Sequence, residues 1–340
     1  MENKHVYAIT LAGGQEGSLW PLVRKRKKEL FGSTPEESLV GQAITRVHSF
    51  VPYEHHWVIT TQEQAEDLLP LLVSHAGKII TEPDDRGTAA TFVHAAFVLA
   101  DQDPHAVVVF LPVEHHIPQV SKFLAFLSHA VDFATSHERL VVLGLPALCA
   151  SSEYGYLAYD TATLEYPAPV AFFHENPPPS LCEAYVKQGF LWNSGIMVCQ
   201  VGVFLEQCHT VIPEVFEEVY AYLYQEGDYY GIPELSIKKD FLEKVPCVSV
   251  LPADFIWFDV NNLEKFLSVH KRAAGEKRVV CIDAHDNLVD AQDSLVALVG
   301  VDNVCVVQSD GILLIVHRDQ IDKVKNVLDL LKQERNEEYL

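Results

Sequence analysis

The stretch HVYAITLAGG, residues 5–14, decides how the chain begins to fold. Val6 to Leu11 form a short apolar run, and Gly13 and Gly14 break it. That pattern predicts a buried strand that ends in a tight loop. The loop continues as LAGGQEGSLWP, Leu11 to Pro21, and has the shape of a phosphate-binding loop. Yet it carries Glu16 where such a loop would favour glycine or a cation.

The same texture recurs outward from this strand. HHWVITT (55–61) and GKIITEP (77–83) predict two further strands, with the helix-like EDLLPLLVSHA (66–76) between them. TAATFVHAAFVLADQ (88–102) has apolar residues at helical spacing, and Thr88 stands where it would cap the helix. AVVVFLPVEHHI (106–117) is a continuous apolar run ending in polar residues, as expected of a central parallel strand. FLAFLSHAVDFATSH (123–137) predicts a helix and RLVVLGL (139–145) a strand. Strands alternating with helices over the first 150 residues predict a doubly wound, mostly parallel sheet. Ligands of such sheets bind beyond the carboxyl ends of the strands. LAGG, TEPDDRG and LPVEHH all lie at such ends and are expected to converge.

After residue 265 the sequence turns strand-rich, with Asp, Asn and Gly at turns. Val304–Gln308 and Ile312–Val316 flank SDG and predict a hairpin. DQIDKVKNVLDLLKQERNEEYL (319–340) predicts a terminal helix with Ile321, Val324, Val327, Leu328 and Leu331 on one face.

Composition limits the function. With 49% hydrophobic residues the 340-residue chain can bury a sizeable core. Lys plus Arg number 25 against 47 Asp plus Glu, a formal net charge of −22. Such a surface repels nucleic acid and anionic membranes, so neither is an expected partner. Seven Cys without a CxxC pair suggest reduced thiols in the cytoplasm, not a disulfide framework or a zinc site. No signal peptide and no apolar run of membrane-spanning length is read from the sequence.

Seven stretches, taken in order, resemble one family, the bacterial mannose-1-phosphate guanylyltransferases (GDP-mannose pyrophosphorylases) in the short form without an isomerase domain. They are LAGG…LWPL, EPDDRGTAA, LPVEHHI, SEYGYL, FHENP, FLWNSGIM and VLPADFIWFDV. The resemblance implies an α/β fold: a Rossmann-like nucleotidyltransferase domain with a mostly parallel mixed sheet over residues 1–265, and a small β-rich C-terminal domain over 266–340. It implies that GTP and mannose 1-phosphate give GDP-mannose and pyrophosphate with Mg²⁺ as cofactor. It also suggests a homodimer formed through the C-terminal domain.

By the same resemblance, Leu11, Ala12, Gly13, Gly14, Glu82, Thr88 and Pro112 are expected at the nucleotide. Gly155, Glu175 and Asn193 are expected at the sugar; the Asn193 amide can donate to and accept from hydroxyls. Lys28, in KKELF, corresponds to a phosphate-contacting lysine. Glu114 and Asp259 correspond to metal-binding aspartates, with Asp259 also catalytic. His115 is expected to support the loop, and Trp20 and Pro21 to brace it.

The departures from the family fall on charged positions. Glu16 and Ser18 replace a Gly and an Arg, and Asn176 replaces the lysine that contacts the sugar's phosphate. Gly87 replaces an Asn, and Asn261 replaces a Gly. Two readings follow: a working sugar-1-phosphate nucleotidyltransferase helped by the basic run Arg24–Lys28, or a non-catalytic homologue that binds nucleotide or nucleotide-sugar as a regulatory partner.

Overall fold

A computed structural model describes residues 5–13, 19–22, 38–72, 76–160, 162, 166–269, 279–291, 294–309 and 311–339. Gly14, Glu16, Ser18 and the basic run with Lys28 lie outside the described residues. The chain divides into two compact units that are discontinuous in sequence. The first comprises the described residues of 1–14, 40–113 and 117–256; the second comprises those of 15–39, 114–116 and 257–340.

The first unit is built on a nine-stranded sheet. Its strands are β1 (Val6–Leu11), β2 (His56–Thr61), β3 (Lys78–Glu82), β4 (Val107–Pro112), β6 (Leu140–Pro146), β7 (Tyr156–Tyr159), β8 (Ala168–His174), β9 (Leu191–Gln200) and β10 (Val248–Pro252). The short β5 (His115–His116) belongs to the second unit. The strand order is β3-β2-β1-β4-β9-β6-β10-β8-β7, with β7 also pairing β9. The sheet is mixed. β3, β2, β1 and β4 run parallel, and β10 is parallel to β6. β9 is antiparallel to β4, β6 and β7, and β8 is antiparallel to β10 and β7.

The first five residues of β1 and of β4 are buried, as their continuous apolar runs require of strands covered on both faces. Helices flank the sheet: α1 (Leu39–Val47), α2 (Gln62–Leu72), α3 (Gly87–Gln102), α4 (Val120–Ser136), α5 (Pro179–Lys187), α6 (Val201–Val211) and α7 (Pro213–Tyr224). α3 buries nine residues because it is enclosed by the sheet, α6 and α7. Phe92 packs on Phe110 of β4 with ring centroids 4.5 Å apart.

Two local expectations are corrected. Thr88 does not cap α3: the helix starts at Gly87, and the Thr88 hydroxyl instead accepts from the Ile237 amide at 2.9 Å. The C-terminal helix does not start at Asp319, because Arg318–Lys323 forms a 3₁₀ segment before the α-helix.

The second unit holds β5, β11 (Phe258–Asp259), β12 (Val279–Ile282), β13 (Leu288–Asp290), β14 (Val296–Val299), β15 (Val304–Ser309) and β16 (Ile312–His317), with α8 (Leu263–Val269) and α9 (Val324–Gln333). β12 pairs β14 and β13 pairs β15 in parallel. β15 and β16 form the expected hairpin, with Gly311 at φ +82° in its turn. Leu19, Trp20, Val260, Leu263, Cys305, Val307 and Val324 share this unit's core. Trp20 is buried and its indole N–H donates to the Tyr339 carbonyl at 2.9 Å.

Candidate active site

Parallel registers bring the carboxyl ends of β1, β3 and β4 to one edge of the first unit. Leu11 pairs with Pro112 and with Ile59, and Thr61 pairs with Glu82. Residues expected at the nucleotide from three distant stretches therefore share one sheet edge, where doubly wound folds bind ligands. The Ala12 amide donates to the Ile59 carbonyl at 2.9 Å, and the Thr60 hydroxyl donates to the Ala12 carbonyl at 2.7 Å. Both polar groups of Ala12 thus serve to anchor the loop. Among the described residues, a side chain at Gly13 would meet nothing within 4 Å.

Glu82 ends β3 at this edge with both carboxylate oxygens bonded within the protein. It is buried, accepting from the Tyr229 hydroxyl at 2.6 Å and from the Thr91 hydroxyl at 3.0 Å. Burial pushes its carboxyl up to about 7, against the opposing pull of those two hydrogen bonds. Buried His94 approaches the same carboxylate at 4.0 Å, and its imidazole is held down at about 4 by burial and by Lys78.

The second cluster lies on β9 and the turns beside it. Asn193, Gly155 and Glu175 come together as the sequence led one to expect. The Asn193 backbone N–H donates to the Gly155 carbonyl at 2.8 Å. A Cβ at Gly155 would lie 2.1 Å from Glu175 Oε2 and 2.7 Å from Phe173 Cε2, so only glycine leaves room for the carboxylate. Asn176, at φ 48°, donates to the Ser152 and Glu153 carbonyls, both at 3.1 Å, and ties the two turns together. Its amide is thereby committed to backbone, and Asn accepts this left-handed conformation more readily than most residues.

Among the described residues, some polar atoms in this cluster are buried without a protein partner. They are Asn193 Nδ2, Glu175 Oε2 and Trp192 Nε1. Buried polar groups in folded proteins are nearly always satisfied, so these three leave bonding capacity that an ordered water or a polar ligand could take up. Asn193 Oδ1 is already used, accepting from the Gly195 amide at 3.1 Å, which fixes the direction of the amide's donor side.

Lys238, which the sequence did not single out, stands beside this cluster. Its Nζ lies 3.7 Å from Glu175 Oε1. Burial raises the Glu175 carboxyl pKa, Lys238 draws it down, and Glu243 pushes it up again. Glu243 also accepts from the Glu175 amide at 2.5 Å. Trp192 carried a signal that could have been used: it precedes Asn193 in FLWNSGIM.

In the second unit, β11 pairs antiparallel with β5, setting Asp259 opposite His115. The Val260 amide donates to the Glu114 carbonyl at 2.8 Å, so the backbones carrying Glu114 and Asp259 are joined. His115 is buried and meets the Trp257 ring edge-on at 5.4 Å. Asn261 Nδ2 donates to Asp259 Oδ2 at 3.0 Å, and Lys265 donates to Asn261 Oδ1 at 3.2 Å. Among the described residues no three His, Cys, Asp or Glu side chains are grouped as a metal site. Magnesium in phosphate-transfer sites needs one or two carboxylates, the remaining ligands being water and phosphate oxygens. The hard oxygen donors of Glu114 and Asp259 fit that chemistry.

A mixed α/β sheet with its ligand edge beside a polar cradle defines a nucleotide-handling α/β protein. Residues 7–276 match the family model described as Nucleotidyl transferase, and residues 277–331 match the MannoseP isomerase/GMP-like beta-helix domain. The chain belongs to the nucleotidyl transferase family.

Among its relatives, "Alginate biosynthesis protein AlgA" of Pseudomonas aeruginosa is 28% identical over 97% of this chain and 73% of its own length. "Mannose-1-phosphate guanylyltransferase" of Salmonella muenchen is 27% identical over 97% of this chain and 74% of its own. A Thermus thermophilus structure titled "mannose-1-phosphate geranyltransferase" superimposes with a TM-score of 0.85 at 24% identity, covering 96% of this chain and 99% of that one, and shares the fold.

Proposed function

We propose that the protein transfers GMP from GTP to mannose 1-phosphate. The observation that carries the reading is the cradle of Gly155, Glu175 and Asn193, with Glu175 Oε2 and Asn193 Nδ2 buried and unpartnered beside the nucleotide edge. A carboxylate acceptor and an amide donor held rigidly apart match neighbouring sugar hydroxyls. The names of the relatives support mannose as the sugar and guanine as the base.

A phosphate oxygen of the sugar 1-phosphate attacks the α-phosphorus of the triphosphate. The bond from that phosphorus to the bridging oxygen breaks, and pyrophosphate leaves. Such transfer depends on positioning and on neutralising charge more than on covalent help. Leu11, Ala12, Gly13 and Pro112 are assigned to the nucleotide, with Thr88 supporting the adjoining backbone. Gly14 and Lys28 keep the roles the family resemblance implies. Glu114 and Asp259 would hold Mg²⁺, which when bound supplies positive charge to the phosphates.

A second copy of the chain is the proposed partner. Leu313 and Ile315, 60% and 62% exposed on β16, give the C-terminal unit an apolar face for it. Sedimentation that finds only monomer at all concentrations would exclude this.

The cradle is tested with Asn193→Ala and Glu175→Gln, by pyrophosphate release at varied mannose 1-phosphate. The KM for mannose 1-phosphate should rise about tenfold or more in each, with KM for GTP unchanged. A KM for the sugar phosphate that stays at the wild-type value in both would refute the assignment.

A further inference from the structure

We propose that Lys238 binds the phosphate of the sugar 1-phosphate, supplying the cation that the Glu175–Asn176 turn does not. The inference rests on reading Glu175 and Asn193 as sugar ligands. A cradle that grips only hydroxyls gives no preference for a phosphorylated sugar; a dianionic group beside buried Glu175 requires a cation nearby.

The position of Lys238 meets that requirement. Its Nζ is 3.7 Å from Glu175 Oε1 and 3.8 Å from where a Cβ on Gly195 would stand. The same Cβ point is 3.3 Å from Pro112 Cγ. The ammonium therefore lies between the sugar cradle and the carboxyl end of β4, where the sugar's phosphate must reach the nucleotide. The absence of a side chain at Gly195, whose φ is +80°, keeps this approach clear.

The ammonium is also uncommitted enough to act. An ion pair at 3.7 Å is well beyond the 2.7–2.9 Å of a full charge-assisted hydrogen bond. The Lys238 side chain is 42% exposed while that of Glu175 is 6% exposed, and an ammonium has three donors, so the contact with Glu175 leaves donors for a further group. Arg86 and Asn176 have partners of their own. Arg86 is bound to the Ile232 carbonyl and to Glu234, and Asn176 to two backbone carbonyls.

The segment carrying Lys238 is held in place by its backbone. Ile237–Leu242 forms a π-helical turn, a local form concentrated at functional sites. Its Ile237 amide donates to the Thr88 hydroxyl at 2.9 Å, and the Ala89 amide donates to the Leu235 carbonyl at 3.0 Å. The first turn of α3, expected at the nucleotide, thereby sets the base from which Lys238 reaches the cradle. Thr88 is accordingly a positioning residue for this cation.

The test is calorimetric titration of the full chain with mannose 1-phosphate and, separately, with mannose and with GTP. Lys238→Met should weaken mannose 1-phosphate binding by about 10–100-fold and leave mannose and GTP unchanged. Lys238→Arg should restore most of the loss. Lys238→Gln serves where the Met variant does not fold, since it keeps a donor near Glu175 without the charge.

Wild-type affinity for mannose 1-phosphate in folded Lys238→Met or Lys238→Gln would overturn the inference and leave the functional reading standing. An equal loss for mannose and its phosphate would also overturn it, by assigning Lys238 to the posture of Glu175 alone. A wild-type protein that binds neither sugar would overturn the functional reading and this inference with it.

Discussion

Replacing Glu82 by Gln should raise stability at alkaline pH and expose a pH dependence that the wild-type protein conceals. Glu82 is buried, and its carboxyl is raised from 4.5 to about 7. The folded chain thus holds a proton that the unfolded chain releases. Stability from this group is fully present below about pH 4.5 and is lost as pH rises through about 7. The gap corresponds to about 3 kcal/mol.

His94, beside it, acts in the opposite direction. Its imidazole is lowered from 6.5 to about 4, so the unfolded chain binds the extra proton and stability rises between those values. The two slopes oppose each other between about pH 4.5 and 6.5, so the contributions of this pair largely cancel there.

Glutamine removes the first slope and keeps the bonding. Its carbonyl can accept from Tyr229, and its amide can donate to the Thr91 hydroxyl, which also contacts the Gly87 carbonyl at 3.4 Å. Urea unfolding from pH 4.5 to 8.5 is the assay. The variant should gain up to about 3 kcal/mol over wild type at pH 8 and should lose stability steeply towards pH 4.5. Wild-type and variant profiles that run parallel, or a variant destabilised at pH 8, would refute the linkage between these two groups.

Two further substitutions probe close backbone approaches. Gly155→Ala would force a Cβ onto Glu175 Oε2 and Phe173, so binding of the sugar phosphate should fall sharply, with about 1–3 kcal/mol of stability lost; titration and thermal unfolding read the two effects. Gly87→Ala places a Cβ 2.8 Å from the Leu235 carbonyl at a φ of +79°; about 1–3 kcal/mol should be lost in urea unfolding, with the start of α3 disturbed.

How much of this could be read from the residues differs from place to place. β1 and β4 were legible because a strand buried on both faces writes a continuous apolar run, and Val6–Leu11 and Val107–Pro112 do so. The β15–β16 hairpin was legible because its SDG turn chemistry is local. The parallel pairing of β12 with β14 was not, since parallel partners join across a crossover that leaves no local mark.

Thr88 looked like a cap because Ser and Thr commonly precede helices. The glycine before it, at positive φ, starts the helix one residue sooner and frees the hydroxyl for Ile237. Glu82 was expected at the nucleotide through its place in EPDDRGTAA; its partner Tyr229 was not legible, because it comes from a distant segment that only folding brings near. Lys238 gave no signal for the same reason. Its place beside Glu175 and Gly195 depends on backbone bonds between residues 88–89 and 235–237. Gly155, Glu175 and Asn193 were legible through their resemblance to family stretches, and their convergence follows from Asn193 bonding to Gly155 and from Glu175 filling the space that Gly155 leaves.

The reaction itself is tested most directly by phosphorus-31 NMR of the purified chain with Mg²⁺, GTP and mannose 1-phosphate. The appearance of pyrophosphate together with the two coupled diphosphate resonances of GDP-mannose, with loss of both substrates in equal measure, is the predicted result. Substrate resonances that persist unchanged, at enzyme concentrations where both substrates are bound, would contradict the assignment of this cradle to guanylyl transfer.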